Sequence, residues 1–449
     1  MRLPPVAVRR WITDPLWPPL AVALAAIFLG AAAVGGLAWP FTRRARAARL
    51  ALLASFYLLL NASLLIGCAA LWVAHPVAGR RDREQWQRAH TRILHWVLAH
   101  LRRAAGPLLG FRVELEEPPG ADQLGAAPLL VLARHAGPGD SFTLVDLLLS
   151  RYHWTPRIVL KETLQWDPGL DVILNRLGAC FLPADAGAGE ALPERLADLA
   201  RDLHDGDAML IFPEGRNWTP SRYQRAIARL RRRASRAAAI PGAATATGVG
   251  TATKTGSSTR TGGSTRTGGA TRTGSATRGP AGGRPGAASR RAVAARRLAM
   301  ARQAAMARQA AVDAEQNPYV LPPRPGGVLA VLAARPDVGI VVIAHTGLDD
   351  LVTPGQVWAA LPLYERPMTV RWWYVAPGTV PPDPAEQYQW LRVQWALVDS
   401  WIGARKAQSE AAGPVTVSGP AAPGELVGRE PVPGEDPSPE GGPLLETPG

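Results

Sequence analysis

The chain has 449 residues and a formal net charge of +14, from 50 Lys and Arg against 36 Asp and Glu. Apolar residues make up 47% of it, enough for a core, but 42 Pro, 45 Gly and long biased stretches leave the folded part short of the whole. Two cysteines, Cys68 and Cys180, exclude a disulfide framework and a Cys-based zinc site, and the cationic excess favours an anionic partner, either a membrane surface or a nucleic acid.

No charged residue occurs from Leu16 to Thr42 or from Leu50 to Ala78, and each run exceeds the ~20 apolar residues that cross a hydrocarbon core. A second run so soon after the first argues against a signal peptide and for a helical hairpin joined by a connector with Arg43, Arg44, Arg46 and Arg49. Spanning or deep insertion is expected. A shallow hairpin with snorkelling arginines, or packing inside a soluble core, fits the same composition.

Gln85 to Ala104 repeats apolar residues at helical spacing and predicts an amphipathic helix after the hairpin. His90, His95 and His100 are five apart and spiral around that helix instead of sharing a face, which fits solvated or interfacial histidines better than a metal site.

Short apolar runs at Leu129–Ala133, Arg157–Leu160, Ala179–Leu182, Ala208–Phe212, Ile340–Ala344 and Met368–Val375 predict strands. Phe142–Leu149, Leu192–His204 and Tyr223–Arg236 predict helices. This alternation belongs to the α/β class. Between about Ala237 and Gln316 the composition collapses to Thr, Gly, Ala, Ser and Arg, with Thr-Arg recurring every six residues from 259/260 to 277/278. Such a segment cannot bury enough apolar surface to offset its ordering entropy, so a disordered insertion is expected, ending in a helix over Arg290–Gln309. A disordered tail is expected at the C-terminus.

Two stretches carry chemistry. In LLVLARHAGPGDS, a buried strand leads to His135 and Asp140. On one helix, residues five apart sit roughly 140° from each other, but Gly137, Pro138 and Gly139 allow a tight turn. His135 then stands at the strand end while Asp140 caps the next helix and curls back to the ring. Taken alone, such a pair is more often a turn histidine and an N-cap aspartate. With no Gly-x-Ser-x-Gly elbow and no suitable Cys, the natural nucleophile is a substrate alcohol activated by His135. In AMLIFPEGRNWTP, a strand-to-helix turn containing Glu214, Gly215, Arg216 and Asn217 offers free N–H groups to a phosphate, with Arg216 or Arg222 as charged partners. An ordinary loop with a surface Arg reads the same.

Together, His135-x4-Asp140 and Phe212-Pro213-Glu214-Gly215 resemble the motifs of the lysophospholipid acyltransferase family, which includes the bacterial 1-acylglycerol-3-phosphate acyltransferases. The resemblance spans about Gln85 to Val352 without the insertion. It includes Gly178-Ala-Cys-Phe181-Leu and a Pro-Arg element at Arg324. Ala184 stands where the family's second motif ends in Arg, and Asn217 where the third has Arg, with Arg216 one position early.

The resemblance implies a mixed sheet flanked by helices, glycerolipid acyltransferase-like, behind an N-terminal two-helix membrane hairpin. Residues 1–80 form that hairpin, 81–236 and 317–404 the acyltransferase domain, 237–316 the insertion and 405–449 the tail. It implies acyl transfer from an acyl-CoA or acyl carrier protein thioester to a lysophospholipid hydroxyl in phospholipid biosynthesis. In this reading His135 is the base and Asp140 its orienting partner. Glu214, Gly215, Arg216, Asn217, Arg222 and Arg324 contact the acceptor. No metal or cofactor is expected, and neither is nucleic acid. The implied location is the cell membrane, with the catalytic domain on the cytoplasmic side. A non-catalytic basic membrane or nucleic-acid-binding protein and a lipid hydrolase are the competing classes.

Overall fold

The computed structural model describes residues 3–37, 45–77, 83–118, 124, 127–137, 139–182, 191–238, 305–306 and 308–411. Most of the insertion expected over 237–316, the helix expected over Arg290–Gln309 up to Ala304, and 412–449 lie outside these residues, as do Arg43, Arg44, Pro138 and Ala184.

Seven strands form one sheet in the order β1-β7-β6-β2-β5-β3-β4, with β1 Val113–Glu116, β2 Leu129–Ala133, β3 Thr155–Lys161, β4 Cys180–Leu182, β5 Asp207–Ile211, β6 Gly339–Thr346 and β7 Met368–Val375. Every pairing is parallel except β6 with β7, so the sheet is mixed. β2, β5 and β6 are buried at every residue, as strands covered on both faces must be. β1 has no long apolar run and escapes a periodicity reading. It is an edge strand beside β7, with only its alternate side chains turned inward.

Side-chain alternation divides the core. Leu129, Val131 and Ala133 face one way, against α3 (Arg83–Leu109), α4 (Asp140–Ser150) and α5 (Pro168–Arg176). Leu130 and Leu132 face the other way, against α6 (Ala191–Arg201), α8 (Pro325–Ala334) and α10 (Pro384–Ala411). α10 runs to Ala411, seven residues into the stretch expected as tail, because Leu391, Trp395, Val398 and Ile402 bury one of its faces.

Two N-terminal helices, α1 (Val6–Leu37, with a π turn at Arg9–Thr13) and α2 (Arg46–Val77), are long and apolar enough to cross a membrane. They pack on each other as a hairpin, and Ser55 Oγ donates to the Ala25 carbonyl at 2.9 Å. α2 also lies along the sheet domain. Arg46 and Arg49 donate to the carbonyls of Leu361, Ala359, Pro107 and Leu108 at 3.0–3.1 Å. Midway, Asn61 Nδ2 donates to Asp167 at 2.7 Å, and Leu64, Leu65 and Cys68 enter the core beneath β2. At the start of α1, Arg9 and Arg10 meet the buried Asp171 at 2.6 and 2.9 Å. The outer surface of α1 stays apolar and exposed at Leu16, Leu20, Ile27 and Val34.

Candidate active site

β2 ends at Ala133, and the turn after it brings His135 and Asp140 together. Gly137 and Gly139 have φ of +89° and +79°, a backbone that only glycine adopts readily. A Cβ on Gly137 would also come within 2.9 Å of the Leu348 carbonyl. Asp140 Oδ2 accepts from the His135 imidazole Nδ1 at 2.7 Å and from the Ala136 amide at 2.8 Å, while Oδ1 accepts from the Ser141 amide at 2.6 Å. Asp140 is thus the first residue of α4 and not its cap. The cap position falls to Gly139, whose carbonyl accepts from Thr143.

This arrangement leaves His135 Nε2 free of Asp140. The His135 side chain is 25% exposed and its ring lies 4.5 Å from that of Phe212, whereas the Asp140 side chain is 4% exposed. Burial raises the Asp140 proton affinity, but the hydrogen bond and charge of His135, the charge of His345 and the Ser141 amide outweigh it. The carboxyl therefore stays below its ordinary range and remains an acceptor.

The backbone of His135 is held from both sides. The Trp218 amide donates to its carbonyl at 2.6 Å, and the Arg134 amide donates to Ile343 at 3.1 Å. The Arg134 guanidinium is fully buried. It donates to Asp349 Oδ1 at 2.7 Å, to the His345 carbonyl at 2.8 Å and twice to the Tyr319 carbonyl. Asp349 Oδ2 takes Thr346 at 2.9 Å and the Lys406 ammonium of α10 at 3.2 Å. Trp218, Arg134, His345, Asp349 and Lys406 are invisible as site residues in the sequence. The sole signals are that Arg134 precedes the histidine and that His345 ends an apolar strand.

The second stretch forms the turn from β5 into α7 (Pro220–Ala238). Gly215 has φ +65°, and a Cβ on it would stand 3.2 Å from the Arg324 guanidinium, which lies against this turn. The Arg324 amide donates to Pro213 at 2.9 Å. Arg216 and Arg324 have no acidic partner among the described residues. Partial burial and the cations Arg216, Arg229 and Arg233 weaken the hold of Arg324 on its proton, as expected where positive charges gather without counter-charge. Arg222 donates to the Asn217 carbonyl at 2.9 Å and so braces the turn. Asn217 Oδ1 is buried without a donor.

Glu214 departs from its expected role on the acceptor wall. It is 2% exposed, both carboxyl oxygens lack a hydrogen-bond donor in good geometry, and its nearest polar neighbours include the Trp395 indole and the Leu321 backbone. Burial pushes its proton affinity up to about 8, so it is a neutral acid beneath the turn at pH 7.

A cavity of about 510 Å³ opens beside the His135–Asp140 turn. Gly139, Thr143 and Leu348 form the end near His135. It continues between α3 and α4 past Leu98, Leu101, Phe142 and Leu147 to Ser150 and Arg151, with Leu53 of α2 in its wall. An ion pair joins Arg102 and Asp146, two of its lining residues, at 2.6 Å. Among the described residues no group of three or more His, Cys, Asp or Glu could hold a metal ion.

Residues 113–246, which contain both the His135–Asp140 turn and the Phe212–Gly215 turn, match the acyltransferase family model. The match covers 134 of the 449 residues. No curated protein matches the chain. A solved structure of the 1-acyl-sn-glycerophosphate (LPA) acyltransferase PlsC from Thermotoga maritima is similar over 81% of this chain and 98% of that one, with 15% identity and a TM-score of 0.41. The cavity borders the His135–Asp140 turn, and the Arg216–Arg324 cluster belongs to the neighbouring Phe212–Gly215 turn, whose Phe212 ring packs on His135.

Proposed function

We propose that the protein transfers a fatty acyl group from a thioester to the hydroxyl of a lysophospholipid with an anionic head group, of the lysophosphatidic acid type. The observation that carries this reading is the His135 Nδ1 bond to a buried carboxylate, which fixes the tautomer with Nε2 available as a base. Nε2 takes the acceptor proton as the alcohol oxygen attacks the thioester carbonyl. Collapse of the tetrahedral intermediate breaks the C–S bond, and the departing sulfur receives that proton from the imidazolium. Asp140 steadies the imidazolium but keeps its own charge. General-base catalysis of this kind contributes on the order of 10² to 10⁴-fold, with positioning supplying much of the rest.

The apolar cavity suits an acyl chain that starts at the catalytic turn, and Arg216 and Arg324, without an acidic partner among the described residues, suit a phosphate. The hairpin supports a bilayer location in which both helices lie in one interface. α2 follows the domain from Arg46 to Cys68, about 33 Å at the ~1.5 Å rise per residue of a helix. Upright insertion of α2 would draw Asp167 and Asp171 into hydrocarbon at a prohibitive desolvation cost.

The test uses membranes containing the full chain or His135→Ala, supplied with labelled acyl thioester and a panel of lysophospholipids. Transfer is expected to fall by at least ~100-fold in the variant. Equal transfer by both would remove His135 from the mechanism, and fatty acid release without lysolipid would make the enzyme a hydrolase.

A further inference from the structure

The exposed face of α7 is a cationic surface that the reaction at His135 does not use. Seven arginines and no acid occur within Pro220–Ala238. Tyr223 and Ile227 turn inward against Trp218, Ala314 and Leu321, which aims the opposite face at solvent. Arg225, Arg229, Arg232 and Arg236 follow one another at spacings of four, three and four residues, so they share a side of the helix, and all four are exposed. Among the described residues, only Arg231 of the seven meets an acid, Glu315 at 2.7 Å. Arg225 and Arg229 fold back onto carbonyls of their own helix. The stripe starts beside the Arg216–Arg324 cluster, where Arg229 and Arg233 add to the field on Arg324. It runs about 16 Å from Arg225 to Arg236 at the ~1.5 Å rise of a helix.

The placement of α7 selects among polyanions. Its neighbours are the residues of a strap over 308–324. Tyr223 donates to the Ala314 carbonyl, and the strap in turn binds α10 through Arg392 with Asp313 and the Tyr319 amide with Asp399. α10 covers the sheet face opposite the hairpin. The stripe is therefore reached from the aqueous side, away from the apolar surface of α1. Charges spread along a helix fit an extended acidic surface better than the compact phosphates of a nucleotide.

We infer that the exposed arginine face of α7 docks an acidic acyl carrier protein, which delivers the acyl thioester to His135 from the side of the molecule remote from the hairpin. This rests on the acyl-transfer reading given above. Arg225, Arg232 and Arg236 lie outside the acceptor cluster, so their replacement leaves the chemistry in place. Docking through exposed charges depends on ionic strength because salt screens such pairs.

The experiment compares the full chain in detergent micelles with the triple variant Arg225→Gln, Arg232→Gln, Arg236→Gln. It measures binding of an unacylated acyl carrier protein, and KM and kcat with acyl-carrier-protein and acyl-CoA donors. The variant is expected to bind the carrier roughly tenfold more weakly, the sum of three exposed charge pairs, and to show the same rise in KM for the carrier donor. Its kcat and its KM for acyl-CoA stay within about twofold of the parent, and salt no longer affects the carrier KM. Unchanged carrier binding in the variant overturns the inference. So does equal loss with both donors, and so does a defect seen only as altered dependence on phosphatidylglycerol content, which assigns the stripe to the bilayer. Carrier binding by a parent that transfers from neither donor sinks the acyl-transfer reading and leaves the surface standing. Acyl-CoA transfer without carrier binding does the reverse.

Discussion

His345 Nε2 lies 3.7 Å from Asp140 Oδ2, the oxygen that also takes the His135 Nδ1 bond, so one carboxylate stands between two imidazoles of different exposure. His345 is fully enclosed, and burial lowers its proton affinity, which keeps it neutral. It donates to the Arg134 carbonyl at 3.0 Å, next to His135 in the chain. His345→Ala leaves that buried carbonyl without its donor. The expected cost is about 1–3 kcal/mol in thermal or urea denaturation, together with a fall in kcat at unchanged acceptor KM. Parent-like stability and turnover would mean the contact is dispensable.

Asp140→Asn keeps the shape of the turn but presents an uncharged amide to Nδ1 and to the Ala136 amide. Turnover is expected to fall by at least ~100-fold through loss of the oriented, charge-supported imidazole, with circular dichroism unchanged. A variant within tenfold of the parent would show that Asp140 serves the turn alone.

Arg324→Ala and Arg216→Ala each remove a cation that has no acidic partner among the described residues. For a charge-assisted bond to phosphate, an increase of roughly ten- to a hundredfold in acceptor KM is expected, with the donor KM unaffected. Relief of cationic crowding predicts that neither variant is less stable than the parent, which thermal melts would check. Unchanged acceptor KM in both would place the head group elsewhere.

Glu214 gives the protein an alkaline weakness. Its carboxyl has a reference value of 4.5 and is pushed up to about 8 in the fold by burial. The folded state therefore favours the neutral acid. That contribution is complete below about pH 4.5 and is lost as pH rises through about 8. Glu214→Gln cannot ionise and is expected to exceed the parent by at least ~1 kcal/mol at pH 8.5, with the gap closing near pH 5. Parallel stability curves for the two proteins would contradict this.

Asp349 acts at the opposite end of the scale. Burial opposes its ionisation, but Arg134 and Lys406 hold its carboxyl down at about 2, below the reference 3.8. Its contribution is present above pH 3.8 and is lost as pH falls through about 2. Asp349→Asn is expected to flatten acid unfolding in that window while lowering stability at pH 7 by about 2 kcal/mol or more, because Arg134 is left buried and uncompensated.

The sheet was legible where burial on both faces writes an unbroken apolar run. β2 and β7 match their expected bounds, and β3, β5 and β6 differ by one or two residues at their ends. β1 and the helices α5, α8 and α10 were not legible. β1 is a short edge strand, and α5 and α8 are 9 and 10 residues long, too short for a clear period. The His135–Asp140 contact was readable because Gly137 and Gly139 signal the turn it requires. The support beneath it was not, since Arg134, His345, Asp349 and Lys406 meet across separations that no spacing rule spans. Glu214 shows the same limit from the other side: its motif marks the right turn, but only packing against Trp395 and Leu321 decides that it points inward.

The way α2 threads its leucines under β2 makes the hairpin the outermost layer of the protein's interior. Cutting the chain after Val77 would strip Leu60, Leu64, Leu65 and Cys68 from the interior and wet Leu94, Val97 and Leu98. It would also leave Asp171 without Arg9 and Arg10. Trimming the front of this protein therefore opens its core and does not release an independent domain.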